Sequence, residues 1–111
     1  MRNTDSAPRP VVVFAPDLMD RSRIAAAAPD ARFVRDAAEL RATAARLLLV
    51  DVGRDGALDA ITARRSEDPD LPIIGFGSHV DDELLAAARA AGCSEVLPRS
   101  RFFRNVTDLL R

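Results

Sequence analysis

The sequence predicts an α/β domain: one five-stranded parallel sheet in the order 2-1-3-4-5, doubly wound with helices on both faces. Three observations lead there. Short runs of Val, Ile, Leu and Phe recur five times, a stretch of helical pattern follows each run, and the strongest runs do not alternate with polar residues. Val11-Val12-Val13-Phe14 and Leu47-Leu48-Leu49-Val50 are apolar throughout, as strands covered on both faces must be. Right-handed crossovers between parallel strands then distribute the helices over both sides of the sheet.

Met1 to Pro10 is polar, holds Pro8 and Pro10 and lacks the apolar core of a signal peptide, so residues 1–10 are expected to be a disordered tail and residues 11–111 the domain. The first strand is Val11 to Phe14, stopped by Pro16. A helix from Asp17, its N-cap, to Ala28 ends before Pro29, and Ala31 to Arg35 reads as a short second strand. Asp36 and Glu39 stand at capping-box spacing and open a helix to about Ala45. Leu47 to Val50 is the third strand and ends on Asp51; the turn Gly53-Arg54-Asp55-Gly56 leads into a helix over 57–66. After the breaker Glu67-Asp68-Pro69-Asp70, Pro72 to Gly77 forms the fourth strand. Asp81, Asp82 and Glu83 begin a helix over 81–91 closed by Gly92, since acidic side chains suit a helix N-terminus. Val96 and Leu97 mark the fifth strand. Ser100 is the expected cap of a last helix whose Phe102, Phe103, Val106, Leu109 and Leu110 share one face.

Composition narrows the chemistry. The chain has 111 residues, one Cys and one His, too few for a disulfide framework or a Cys/His zinc site. No apolar run approaches a membrane span, and a cytoplasmic location is expected. All 16 basic residues are Arg, so any step that needs an internal lysine ammonium is excluded. Charge is uneven: +2 over residues 1–50, −6 over 51–83 and +3 over 84–111. No basic stripe is interleaved with aromatic residues, so protein partners or self-association are expected rather than nucleic acid.

In a sheet of this order, ligands and chemistry sit at the carboxyl ends of the strands, near the switch between strands 1 and 3. Here that edge comprises Ala15-Pro16-Asp17, Asp51-Val52-Gly53, Gly77-Ser78-His79 and Pro98-Arg99-Ser100. With the five βα units, the Asp ending strand 3, Pro72-Ile73-Ile74 and Ala90-Ala91-Gly92-Cys93-Ser94-Glu95-Val96-Leu97, the chain resembles the receiver domain of bacterial response regulators, the CheY-like, flavodoxin-like fold, across residues 11–111.

The resemblance implies a phosphorylation switch, and most of its parts are missing. The phosphoacceptor position falls on Asp51. The acidic pair that holds Mg²⁺ falls on Ala15 and Pro16, the switch hydroxyl after strand 4 on Gly77, the switch aromatic of strand 5 on Val96, and the lysine after strand 5 on Arg99. The turn after strand 3 is also about three residues shorter than the family's. Mg²⁺ needs several hard oxygen ligands, and without it the charge on a transferring phosphoryl group is left uncompensated. Asp51 is therefore expected to be a partly buried carboxylate satisfied by backbone N–H groups or by Arg54 or Arg99.

The expected function is a non-phosphorylated pseudo-receiver: a protein-interaction module in bacterial signalling, not an enzyme, with no cofactor and no metal. The resemblance implies a partner surface on helix 4, strand 5 and helix 5, here carrying Arg89, Arg101, Arg104 and Asp108, and a homodimer is expected to use it. An apolar surface there favours this reading. Two alternatives stand beside it: a phosphoacceptor at Asp51 with unusual metal ligands, Asp17 among them, and a small-anion or ligand-binding domain using Ser78, His79 and Arg99. Ser78 and His79 are adjacent residues, which rarely align as nucleophile and base. Gly75 and Gly77 lack the spacing of a dinucleotide fingerprint, and Cys93 is expected in the core.

Overall fold

In the computed structural model, which describes residues 9–110, strand and helix alternate five times. The elements are β1 (Val11–Phe14), α1 (Leu18–Ala27), β2 (Arg32–Phe33), α2 (Ala37–Ala42), β3 (Leu47–Asp51), α3 (Ala57–Glu67), β4 (Ile73–Gly77), α4 (Asp82–Ala91), β5 (Glu95–Pro98) and α5 (Arg99–Leu109). The strands pair in parallel in the order β2-β1-β3-β4-β5, as the sequence predicts. Val13 lies opposite Leu49, Leu49 opposite Ile74, and Phe76 opposite Leu97.

The unbroken apolar runs are explained by two cores, one on each face of the sheet. Successive side chains of a strand point to opposite faces. Val12, Phe14, Leu48 and Val50 pack with Leu40 of α2, Ile61 of α3 and Leu85 of α4, whereas Val11, Val13, Leu47 and Leu49 pack with Ile24 of α1 and Phe102 and Val106 of α5. In the second core Phe76 and Phe102 stack with centroids 4.3 Å apart, and Phe103 meets both rings edge-on.

Local chemistry sets the ends of the elements, and several differ from the sequence reading. Residues 1–8 of the expected tail lie outside the described residues; Pro10 is described, and its carbonyl accepts the N–H of Arg46. β2 is shorter than Ala31 to Arg35: Arg32 and Phe33 stand opposite Val12 and Val13 at the sheet edge, and the Val34 N–H donates to the Val13 carbonyl. α2 stops at Ala42 rather than near Ala45. Thr43 turns extended and its hydroxyl donates to the Glu39 carbonyl at 2.7 Å, while the buried Arg64 of α3 donates to the carbonyls of Leu40, Arg41 and Thr43. The α2 cap is the expected Asp36, which accepts from the Glu39 N–H; Glu39 reaches back to the N–H of Arg35, one residue before the usual capping-box partner. Ser100 does not cap α5: Pro98, still paired with Gly77 in the sheet, leads directly into a helix beginning at Arg99, and Ser100 lies within its first turn. Gly56 precedes α3 at φ +78°, a left-handed conformation that glycine adopts without steric cost. No helix among the described residues is long and apolar enough to cross a membrane.

Candidate functional site

Asp51 arrives at the carboxyl edge because β3 runs through the middle of the sheet and ends there, with 7% of its surface exposed. Both of its carboxylate oxygens are engaged by the turn that follows. Oδ1 accepts the N–H of Gly53 at 3.2 Å, and Oδ2 accepts Nε of Arg54 at 3.0 Å. Of the two arginines the sequence offered as partners, the structure selects Arg54. A charge-assisted bond across a three-residue turn needs little further ordering of the chain.

Arg99 has a different partner. Its Nη2 donates to Oδ1 of Asp20 at 2.5 Å, and its guanidinium lies 5.6 Å from the ring centres of both Phe76 and Phe103. The Asp20 bond is the main reason the Arg99 guanidinium is held still more firmly in its charged form. Asp20 is 2% exposed, on the first turn of α1, and its Oδ2 is buried with no hydrogen-bond partner in the protein. This residue was missed in the sequence, where an acid three positions after a capping Asp reads as an ordinary helix-start charge. The only available signal was the cluster of acids at 17 and 20 just past the vacant metal positions.

The remaining positions of the edge lack the side chains that the resemblance implies. Ala15 is buried and Pro16 exposed, and neither carries a carboxylate. Asp17 is the N-cap of α1, its Oδ1 accepting the N–H groups of Met19 and Asp20 at 2.9 and 3.0 Å. The Asp20 N–H contributes most to holding its carboxyl below the usual carboxylate range, with Met19, Arg99 and Arg54 adding to it against a burial cost. A Cβ on Gly77 would stand 3.2 Å from Leu85 Cδ2 and 3.3 Å from Val52 Cγ2, so a side chain there would press on apolar neighbours. Val96 is buried in the α2–α4 core. Ser78 Oγ accepts the Val80 N–H at 3.4 Å, His79 is exposed, and no hydrogen bond joins Ser78, His79 and Arg99. Cys93 is half-buried against the same core, and burial pushes its thiol up to about 11.

A Mg²⁺ site of the receiver kind does not fit these residues. Asp51 already accepts on both oxygens, Ala15 and Pro16 offer no side-chain oxygen, Asp17 caps a helix and Asp20 holds Arg99. Among the described residues no group of three His, Cys, Asp or Glu is arranged to hold a metal ion.

The proposed partner surface is polar. Arg89 on α4 and Arg101, Arg104 and Asp108 on α5 are exposed, but no large apolar side chain is exposed on α4, β5 or α5. Among the described residues the exposed large apolar side chains are Leu18, Met19 and Val80, all beside strand carboxyl ends.

Comparison with known proteins places this geometry. No protein-family model matches the chain, and no curated protein matches it in sequence. Solved structures do match. The chain superposes on the phosphorylated cyanobacterial phytochrome response regulator RcpA with a TM-score of 0.77 at 14% identity, covering 93% of this chain and 91% of that one. On the BeF₃-activated receiver domain of DrrB the TM-score is 0.79 at 11% identity, covering 94% and 95%. A response regulator from Hahella chejuensis gives 0.71 at 24% identity, covering 90% and 85%. NtrX from Brucella abortus matches over 95% of this chain but only 29% of its own length, with a TM-score of 0.67 at 19% identity. What is shared is the fold: this chain has the receiver-domain architecture of response regulators.

Proposed function

We propose that the chain is a receiver-fold domain that works without phosphorylation, as a protein-interaction module of bacterial signalling in the cytoplasm. The observation that carries this reading is the closure of Asp51 from within. A phosphoacceptor must present one carboxylate oxygen to an incoming phosphoryl group in line with its leaving group, with a cation to neutralise the charge that builds up. Here one oxygen is bonded to the Gly53 N–H and the other to Arg54. Phosphotransfer would have to break the Arg54 bond without a metal ion to replace it.

The means of responding are missing as well. A ligand or modification shifts an equilibrium only through contacts that differ between the two states. Gly77 has no hydroxyl to be drawn toward a phosphoryl group, and Val96 has no ring to swing. The Asp20 and Arg99 pair fastens α1 to the start of α5 in one arrangement. In this reading the domain is a binding module rather than an enzyme, and its output is the surface it presents. The face of α4, β5 and α5 exposes no large apolar side chain, against the apolar surface expected of it, so self-association through it is electrostatic, with exposed Arg89, Arg101 and Arg104 meeting acidic side chains of a second copy.

The test is a pair of amide NMR spectra with and without beryllofluoride and Mg²⁺. No saturable change is expected. Shifts spreading from Asp51 to Val96 and α5 would show a working phosphoacceptor instead, and shifts confined to Ser78, His79 and Arg99 on adding phosphate would favour an anion-binding domain. For the dimer, light scattering of Arg104→Glu at low salt is expected to show weaker association than the parent chain; equal association would place the contact elsewhere.

A further inference from the structure

We infer that the groove between the β3–α3 turn and the start of α4 is a docking site for a basic, apolar-anchored segment of a partner protein. The inference rests on the interaction-module reading and gives that module a contact face distinct from the α4, β5 and α5 surface. The groove is an open depression of about 520 Å³. Its apolar lining is Val52, buried at the end of β3, with the half-buried Leu58 of α3 and Leu84 of α4.

Three carboxylates line it as well: Asp55, Asp59 and Asp81. Asp81 caps α4 through Oδ1, and among the described residues Asp55 and Asp59 have no ion-pair or hydrogen-bond partner. Arg54 also lines the groove, but its charge is answered by Asp51 at 3.0 Å. Asp82 and Glu83 follow on the exposed first turn of α4 and add to the negative field. The groove therefore repels anions and favours a cation.

Its shape and chemistry fit a long basic side chain. The alkyl stem of Arg or Lys can lie on the half-exposed Leu58 and Leu84 while its charged head stays among the carboxylates, in water. A free small cation would leave the neighbouring apolar surface uncovered. Val80, immediately before Asp81, is 76% exposed, whereas the α4, β5 and α5 face exposes no large apolar side chain. A segment with an apolar residue spaced from a basic one covers Val80 and the groove at once, because Val80 immediately precedes the groove residue Asp81 in the chain.

The experiment is an amide NMR titration of the full chain with an acetylated helical peptide of about twelve residues, roughly three turns, carrying Leu and Arg on one face. A matched peptide has Glu at each Arg position. Saturable shifts are expected at Gly53, Asp55, Leu58, Val80 and Leu84 with the Arg peptide and none there with the Glu peptide. Two exposed charges removed together, in Asp55→Asn with Asp59→Asn, should weaken binding about tenfold. Both aspartates are exposed, so the parent spectrum is expected to survive their replacement and serves as the folding check. The inference falls if the Arg peptide gives no saturable shifts, if the Glu peptide binds as well, or if the shifts centre on α5 and vanish with Arg104→Glu. That last result would leave the interaction module standing on its other face; a beryllofluoride response would overturn the module reading whatever the peptide does.

Discussion

The two helical layers are closed by different chemistry. On the side of α2, α3 and α4, two arginines of α3 tie the layer through backbone carbonyls. Arg64 donates to Leu40, Arg41 and Thr43, and Arg65 donates to Gly92, Asp68 and Pro69 and to the hydroxyl of Ser94. On the side of α1 and α5, the closure is a side-chain ion pair, Asp20 with Arg99, laid over a cluster of three phenyl rings. In the first layer one cation satisfies several carbonyls left unpaired where helices end. In the second, each partner of the pair depends on the other, and half of it faces the site. The contrast shows how a chain without lysine uses the planar, many-donor guanidinium both as a fastener and as a fixed charge.

The apolar stack should carry the largest effect. Phe102 is fully buried between Phe76, Phe103 and the sheet, so Phe102→Ala is expected to cost about 3–5 kcal/mol in a urea unfolding experiment. A cost below about 1.5 kcal/mol would mean that the α1 and α5 layer is held chiefly by its ion pair.

Next comes the carbonyl clamp. Arg64→Met keeps most of the volume and removes the donors, leaving the end of α2 with unsatisfied carbonyls; a loss of about 3 kcal/mol is expected. Arg64→Lys should recover less than half of it, because an ammonium cannot copy the guanidinium's fixed fork at a buried site. Full recovery would show that the charge near the helix end matters and the geometry does not.

The ion pair should matter less, since Arg99 is 41% exposed and water can take over its charge when the partner is lost. Asp20→Leu is expected to cost about 2 kcal/mol, and Asp20→Leu with Arg99→Met to recover most of that, as paired buried charges often do when replaced together by apolar groups. Strict additivity in this double-mutant cycle would reduce the pair to two independent residues.

These sites also mark where sequence reading stops. The strand runs, the carboxyl-edge position of Asp51 and the caps at Asp17 and Asp36 are legible because each rests on residues within a few positions of one another. Asp20 and Arg99 are 79 positions apart, and nothing local tells a helix-start acid that turns inward from one that faces water. Arg64 was likewise unreadable: a basic residue near the end of a helix looks solvent-exposed, and only the arrival of α2 beside α3 supplies the carbonyls that bury it. The partner of Asp51 stood as a choice of two until the turn brought Arg54 within reach. The polar character of the α4, β5 and α5 face could not be seen either, because Phe102, Val106 and their neighbours on α5 turn toward the sheet.

The smallest signal comes from Cys93, which reports whether the two layers open together. Its thiol is raised to about 11, chiefly by burial, with Arg65 opposing. The sign follows from protonation: the fold favours the neutral thiol, so this stabilisation is complete below the ordinary thiol value of 9.0 and is lost as pH rises toward 11. At pH 8 roughly one thiol in a thousand is ionised in the fold, against about a tenth in the unfolded chain, so reaction with a disulfide reagent should be slow and should proceed mainly through opening. Cys93 lies in the α2–α4 layer and Asp20 in the other. If a domain this small opens as one unit, the roughly 2 kcal/mol lost in Asp20→Leu must speed Cys93 labelling about thirtyfold. An unchanged labelling rate in a variant whose urea midpoint has fallen would show the α1 and α5 layer coming away by itself, and the two closures would then hold separately stable halves of one sheet.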